Sequence, residues 1–268
     1  MTLADLTLGW PGEPSVVLLQ REGDEVVRLA SAGPESERRP WASVSKLAVA
    51  LACARECDEG RARDEDPVGE TGATLAQLLS HCGGYGFEEN DPRCAPGTRR
   101  VYSNVGIDRA VEAVRGTLSV DEWLSQRVLR PLDMTETELK GRPSAGLVGS
   151  TADLTRLAAE WLAPRLLSEE RDHRVTSVFG GDLAGVVPGF GRFDPCPWGL
   201  GPEIHGEKNH WMRGWSPAAF GHFGQSGALL LVDRDAGRAL VATSSVPFGA
   251  WAKELWPAWS ARLREWTP

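Results

Sequence analysis

The segment ALLLVDRDAGRALVATS, residues 228–244, holds two strand-like apolar runs, 228–232 and 239–244, joined by a polar turn that contains Gly237. Two short β-prone runs so close together predict adjacent antiparallel strands. The opposite end of the chain repeats the pattern. SVVLLQ (15–20) and EVVRLA (25–30) flank Glu22-Gly23-Asp24, a hairpin signal. Strands at both termini most simply pair into one sheet.

Between these ends the pattern turns helical. Residues 43–59 read as a helix that opens on a continuous apolar run and stops at Gly60. Segments 74–80, 105–115, 120–129 and 151–162 carry apolar residues at i, i+3 and i+4. Residues 180–220, rich in Gly, Pro and aromatics, read as loops with room for one strand. The tail 250–265 is helical by composition, with Pro257 expected to kink or restart it. The expected architecture is a single α/β (α+β) domain over residues 1–268. An antiparallel sheet is covered by the first and last helices, forming an α/β subdomain from 1–60 and about 200–268. A helical subdomain, about 61–199, is inserted between.

The chain has 268 residues, 41% of them apolar and 25% charged, so it is long enough to bury a proper core without staples. Its net charge of −8 opposes phosphate backbones and anionic lipid, which argues against nucleic-acid or membrane-surface binding. No basic, apolar leader opens the sequence, and its longest wholly apolar run, 47–54, is far too short to span a bilayer. The five cysteines have no framework spacing. With the missing leader they predict reduced thiols in a cytoplasmic protein.

Three short motifs carry chemistry. Ser43-Val44-Ser45-Lys46 sets a hydroxyl and an amine on one helix face, near the end that favours developing negative charge. An alcohol needs such a neighbour to take its proton before it can attack. The alternative is a capping serine followed by a solvated lysine. Lysines are scarce, however: only Lys46, Lys140, Lys208 and Lys253. Tyr102-Ser103-Asn104 draws on two equally scarce residue types. A phenol beside a lysine ammonium is expected to have a lowered pKa and to act as a general base. Asn104 can bond both Lys46 and a substrate carbonyl, and is also a candidate helix N-cap. The third motif, Gly221-His222-Phe223-Gly224-Gln225-Ser226-Gly227, precedes the first of the C-terminal strands. Its glycines let a ligand approach an edge strand, and a backbone N–H there could complete an oxyanion hole with that of Ser43.

Taken in this order, Ser-x-x-Lys, Tyr-x-Asn and His-x-Gly resemble the serine β-lactamase and penicillin-binding-protein-like superfamily. The closest branch contains the class C β-lactamases, DD-peptidases and family VIII esterases. Further stretches resemble it too: Leu78-Leu-Ser-His-Cys-Gly-Gly84, Pro96-Gly-Thr98, Arg130-Pro-Leu-Asp-Met134, Gly146-Leu-Val-Gly-Ser-Thr151 and Trp198-Gly-Leu-Gly201. The resemblance implies that Ser43 is acylated, that Lys46 and Tyr102 move its proton, and that Asn104 and His222 position substrate. It places the oxyanion on the N–H groups of Ser43 and Gln225, beside Gly224. No cofactor or metal is implied. His222 stands where a lysine is common, and a neutral imidazole holds a carboxylate less well. The expectation is therefore an esterase or small-amide hydrolase. The alternatives are β-lactamase or D-amino-acid peptidase activity, acyl transfer, or ligand binding without turnover.

The remaining candidates read as structural. Cys53 and Cys57 have no matching ligand pair and are expected to be buried thiols. His81, His173, His205 and His210 are scattered; His205 and His210 lie in the loop that approaches the third motif, where a surface role is expected ahead of a substrate contact. Trp198, Trp211 and Trp215 could wall the pocket, while Trp251, Trp256, Trp259 and Trp266 pack the last helix.

Overall fold

The computed structural model describes residues 6–267. Its main sheet joins the two ends of the chain. From the N-terminal part come β1 (Ser15–Glu22) and β2 (Glu25–Ala32). From the C-terminal part come β3 (Glu203–Ile204), β4 (Phe220–Phe223), β5 (Leu229–Asp233) and β6 (Arg238–Thr243). The spatial order is β3-β4-β5-β6-β1-β2, and every neighbouring pair is antiparallel. The chain ends are joined by the β1–β6 ladder, which runs from Ser15 opposite Thr243 to Gln20 opposite Arg238. Both C-terminal strands differ by one residue from their apolar runs, because Asp233 and Arg238 still pair across the ladder at its turn end.

The central strands lack polar alternation because both faces are buried. Val17, Leu19, Leu230, Val232 and Val241 enter one core. Val16, Leu18, Leu229, Leu231 and Leu240 enter the other.

The helices are α1 (Ser45–Asp58), α2 (Leu75–Leu79), α3 (Asn104–Val114), α4 (Val120–Leu124), α5 (Thr151–Leu162), α6 (Glu169–Thr176) and α7 (Ala250–Arg264). α7 covers the second face through Trp256, Trp259 and Leu263, all fully buried. It runs through Pro257 as one helix and does not restart there. The tryptophans on either side anchor it, with Trp10 stacked edge-on against Trp259 at 4.9 Å.

On the first face α5 packs directly on β5, β6 and β1, although its place in the sequence put it in the helical insertion. Its stripe of Leu154, Leu157, Ala158 and Trp161 marked an amphipathic helix but not the partner it would bury against. α1 packs on α3, α4 and α6 and touches the sheet at β4, and so has almost no polar face. One hydrophobic core therefore runs from the sheet into the helical region. No helix among the described residues is long and apolar enough to cross a membrane.

Candidate active site

Ser43 lies in a single 3₁₀ turn, Ala42–Val44, that feeds α1; the α-helix itself starts at Ser45, two residues later than expected. The turn is entered through Ala42 at φ +47°, a conformation uncommon for a residue with a Cβ. Gly224 makes room for it. A Cβ at position 224 would fall 2.3 Å from the Trp41 carbonyl oxygen and 3.0 Å from the Ala42 Cβ. The third motif is thus pressed against the turn that presents Ser43.

One turn along α1, Lys46 sends its amine back to that serine. Lys46 Nζ lies 3.2 Å from Ser43 Oγ, 2.6 Å from Asn104 Oδ1 and 2.9 Å from the Ser144 carbonyl oxygen. Its side chain is completely buried, and among the described residues its amine bonds only these three uncharged partners. Desolvation pulls the ammonium down to about 7. Asp108 and Glu88 oppose that pull, and Arg142 adds to it. A lysine with such a pKa is substantially neutral near pH 7 and can accept a proton.

Tyr102 behaves differently from expectation. Burial raises its phenol above the ordinary value, and a hydrogen bond from Ser43 offsets only part of the rise. Burial outweighs any pull from the Lys46 amine, which sits 4.9 Å from the ring centroid. Tyr102 is enclosed by His81 (4.4 Å between centroids), Phe87 and Trp198 (5.9 Å each). It rests as a neutral phenol, a donor and not a base.

Asn104 is the first residue of α3, but its cap is Ser103, whose hydroxyl accepts from the Gly106 N–H at 2.9 Å. The Asn104 amide is therefore free for the site. Its oxygen takes the Lys46 bond, and its nitrogen donates to Glu88 at 2.7 Å. Arg142 ties Glu88 to Asp108, which in turn accepts from the Ser144 N–H at 3.0 Å.

The third motif supplies His222 from β4. Its Nδ1 donates to the Phe223 carbonyl at 2.7 Å, which leaves Nε2 as an acceptor 3.3 Å from the Tyr102 hydroxyl. Desolvation and the nearby Lys46 push its pKa down to about 3, so the ring is neutral. Beyond it, Gly224 N–H bonds the Ala228 carbonyl at 2.8 Å, and Phe248 N–H bonds the Gln225 carbonyl at 3.0 Å. Among the described residues the Gln225 N–H makes no backbone hydrogen bond, and Gln225 lines the same pocket as Ser43.

A β-lactamase family model matches residues 11–258. The chain belongs to the β-lactamase family. No curated protein sequence matches it. Among solved structures, a protein from Mycobacterium bovis described as a β-lactamase shares 36% identity, covers 100% of both chains and superposes with a TM-score of 0.93. The fold also matches a β-lactamase/D-alanine carboxypeptidase from Yersinia pestis, at 15% identity and TM-score 0.78 over 97% of this chain and 95% of that one. An Aspergillus terreus simvastatin synthase variant superposes at 13% identity and TM-score 0.76 over 94% and 90% of the two chains. These last two show the fold alone.

Within this β-lactamase-family fold the structure brings Ser43, Lys46, Tyr102, Asn104, His222, Gly224 and Gln225 to one place. It also corrects several outlying readings. His205 and His210 are buried, not on the surface. His210 Nε2 donates to Glu203 at 2.7 Å, Trp211 Nε1 donates to the same carboxylate at 3.0 Å, and Lys208 Nζ lies 3.3 Å from it. These partners hold Glu203 down to about 2 despite its burial, the largest single influence, which acts the other way. Trp211 and Trp215 belong to the core beneath α7, and of the three loop tryptophans only Trp198 reaches the pocket.

Sequence reasoning missed His81. It is buried against Tyr102, accepts the Ser103 N–H on Nδ1 at 3.2 Å, and adopts φ +59°. Its place three residues after Leu78, in a stretch already singled out, was the available signal.

Two cavities meet at Tyr102. Beside Ser43 is a space of about 30 Å³ lined by Trp198, His222, Phe223 and Gln225. Across Tyr102, Phe87, Pro188 and Gln225 opens a cleft of about 780 Å³.

Proposed function

We propose that this chain is a cofactor-free serine hydrolase that forms an acyl-enzyme on Ser43 and acts on small esters or small amides, esters foremost. The observation that carries this reading is the fully buried Lys46 amine, 3.2 Å from Ser43 Oγ with its pKa drawn down to about 7. Neutral Lys46 takes the Ser43 proton as Oγ attacks the substrate carbonyl. The oxyanion that forms is stabilised by the N–H groups of Ser43 and Gln225. When the tetrahedral species collapses, the neutral Tyr102 phenol gives its proton to the departing alkoxide or amine. The proton held on Lys46 then restores Tyr102, and water repeats the sequence on the acyl-enzyme.

Three features favour small, uncharged acyl groups. The space beside Ser43 is narrow, Trp198 and Phe223 make it apolar, and neutral His222 offers no cation to a carboxylate near the scissile bond. The relative described as a β-lactamase keeps β-lactam opening as the second reading. Incubation with a chromogenic short-chain aryl ester and, in parallel, a fluorescent penicillin separates the two. The expected result is ester turnover that vanishes in Ser43→Ala. Faster turnover of the penicillin would reverse the order of the readings, and turnover that survives in Ser43→Ala would remove the nucleophile.

A further inference from the structure

Resting on that reading, we infer that the larger cleft takes the leaving-group half of the substrate and recognises an anionic group on it, a carboxylate at the end of an apolar body. The cleft starts at Tyr102, the proton donor to the leaving group, while the 30 Å³ space beside Ser43 admits only a short acyl group. Its walls are apolar. Phe87 and Val186, 48% and 52% exposed, are two of the few large apolar side chains left open to solvent among the described residues. Such exposed apolar surface lining a concavity marks a binding site.

Its charge is one-sided. Arg99, Arg100 and Arg192 line the cleft, and among the described residues no carboxylate does. Arg100 is buried, and its guanidinium donates to three backbone carbonyls, those of Cys196 (2.7 Å), Phe179 (2.8 Å) and Ser80. Each guanidinium nitrogen is thus taken by a carbonyl, so Arg100 holds the wall of the cleft and leaves Arg99 and Arg192 as the cations open to a ligand. Arg99 is exposed and, among the described residues, its side chain bonds only the Arg93 carbonyl, at 3.4 Å. Arg192 makes one loose, solvent-exposed pair with Asp194 at 3.5 Å, which a better-placed carboxylate can displace. In a chain of net charge −8 this is a local inversion of sign next to the reacting centre. It lies away from neutral His222, so anion recognition here sits at the far end of the leaving group and not at the scissile bond.

The test compares 3-(4-acetoxyphenyl)propanoate with its uncharged carboxamide, two acetyl esters with matched phenol leaving groups. The measured quantity is the ratio of their kcat/KM values. On the order of a tenfold preference for the carboxylate is expected, shrinking as salt screens it and falling to about unity in Arg99→Gln/Arg192→Gln. A ratio at or below one in the wild type, or a preference that persists in the double variant, overturns the inference. So does a preference that appears only when the carboxylate is moved to the acyl side, as in a phenyl hemisuccinate. Turnover of neither ester in a Ser43-dependent manner would instead remove the hydrolase reading, and the subsite with it.

Discussion

Tyr102 and His222 share a hydrogen bond whose direction is fixed by a third group. Because His222 Nδ1 gives its proton to the Phe223 carbonyl at 2.7 Å, its Nε2 can only accept, and the Tyr102 hydroxyl 3.3 Å away is the donor it faces. The histidine in this position therefore orients a phenol; it does not supply a cation. Removing the phenol in Tyr102→Phe is expected to slow acylation by roughly 10²–10⁴-fold. His222→Ala should cost less in kcat, because the donor remains and only its orientation is lost. Stopped-flow acylation rates with an aryl ester check both, and equal losses would contradict the order.

The Lys46 amine sets the pH dependence. Its folded pKa of about 7 lies below the ordinary 10.5, so lowering pH through 7 protonates the proton acceptor. kcat/KM is expected to rise with pH through that value and then level. Asp108 and Glu88 raise this pKa and Arg142 lowers it. Asp108→Asn should consequently move the midpoint to lower pH, and Arg142→Gln should move it higher. Opposite displacements in the pH profile would show that another group titrates.

Gly224 is a packing requirement. An alanine Cβ there would stand 2.3 Å from the Trp41 carbonyl oxygen, so the turn before Ser43 must shift. Gly224→Ala is expected to destabilise by about 1–3 kcal/mol and to lower kcat together. Thermal melts alongside ester kinetics measure both. Unchanged kcat in a destabilised variant would disconnect this contact from the nucleophile.

Glu203 is a stability element. Its carboxylate is held at about 2, below the ordinary 4.5, so its contribution is present above 4.5 and lost as pH falls from there to 2. The depression corresponds to about 3 kcal/mol. Glu203→Gln leaves the buried Lys208 ammonium without its carboxylate and is expected to cost about 3–5 kcal/mol at neutral pH. Urea midpoints at pH 7 and pH 3 test this, since the difference between the two proteins should narrow at the lower pH.

The sheet and most helices were legible because their signals are local. The strand runs at 15–20 and 239–244, the stop at Gly60 and the periodicity of 151–162 all lie within short windows. The Ser43–Lys46 relation was legible for the same reason, since i and i+3 share a face wherever a helical turn forms. What escaped was burial and long-range pairing. Nothing in Tyr102-Ser103-Asn104 shows that four aromatic or imidazole rings, those of His81, Phe87, Trp198 and His222, surround the phenol, and that enclosure reverses the expected direction of its pKa. Similarly, Asn104 read as a candidate N-cap, whereas the structure gives that role to Ser103 and engages the Asn104 amide with Lys46. His210 read as a surface residue because Glu203, its partner, was not recognised as buried.

The most direct measurement is intact-mass and peptide analysis of the protein quenched in acid during turnover of an aryl acetate. The account predicts an added acetyl group on the peptide that contains Ser43, absent in Ser43→Ala and accumulating more slowly in Tyr102→Phe. An acetyl group on any other residue, or steady turnover by Ser43→Ala, would contradict it.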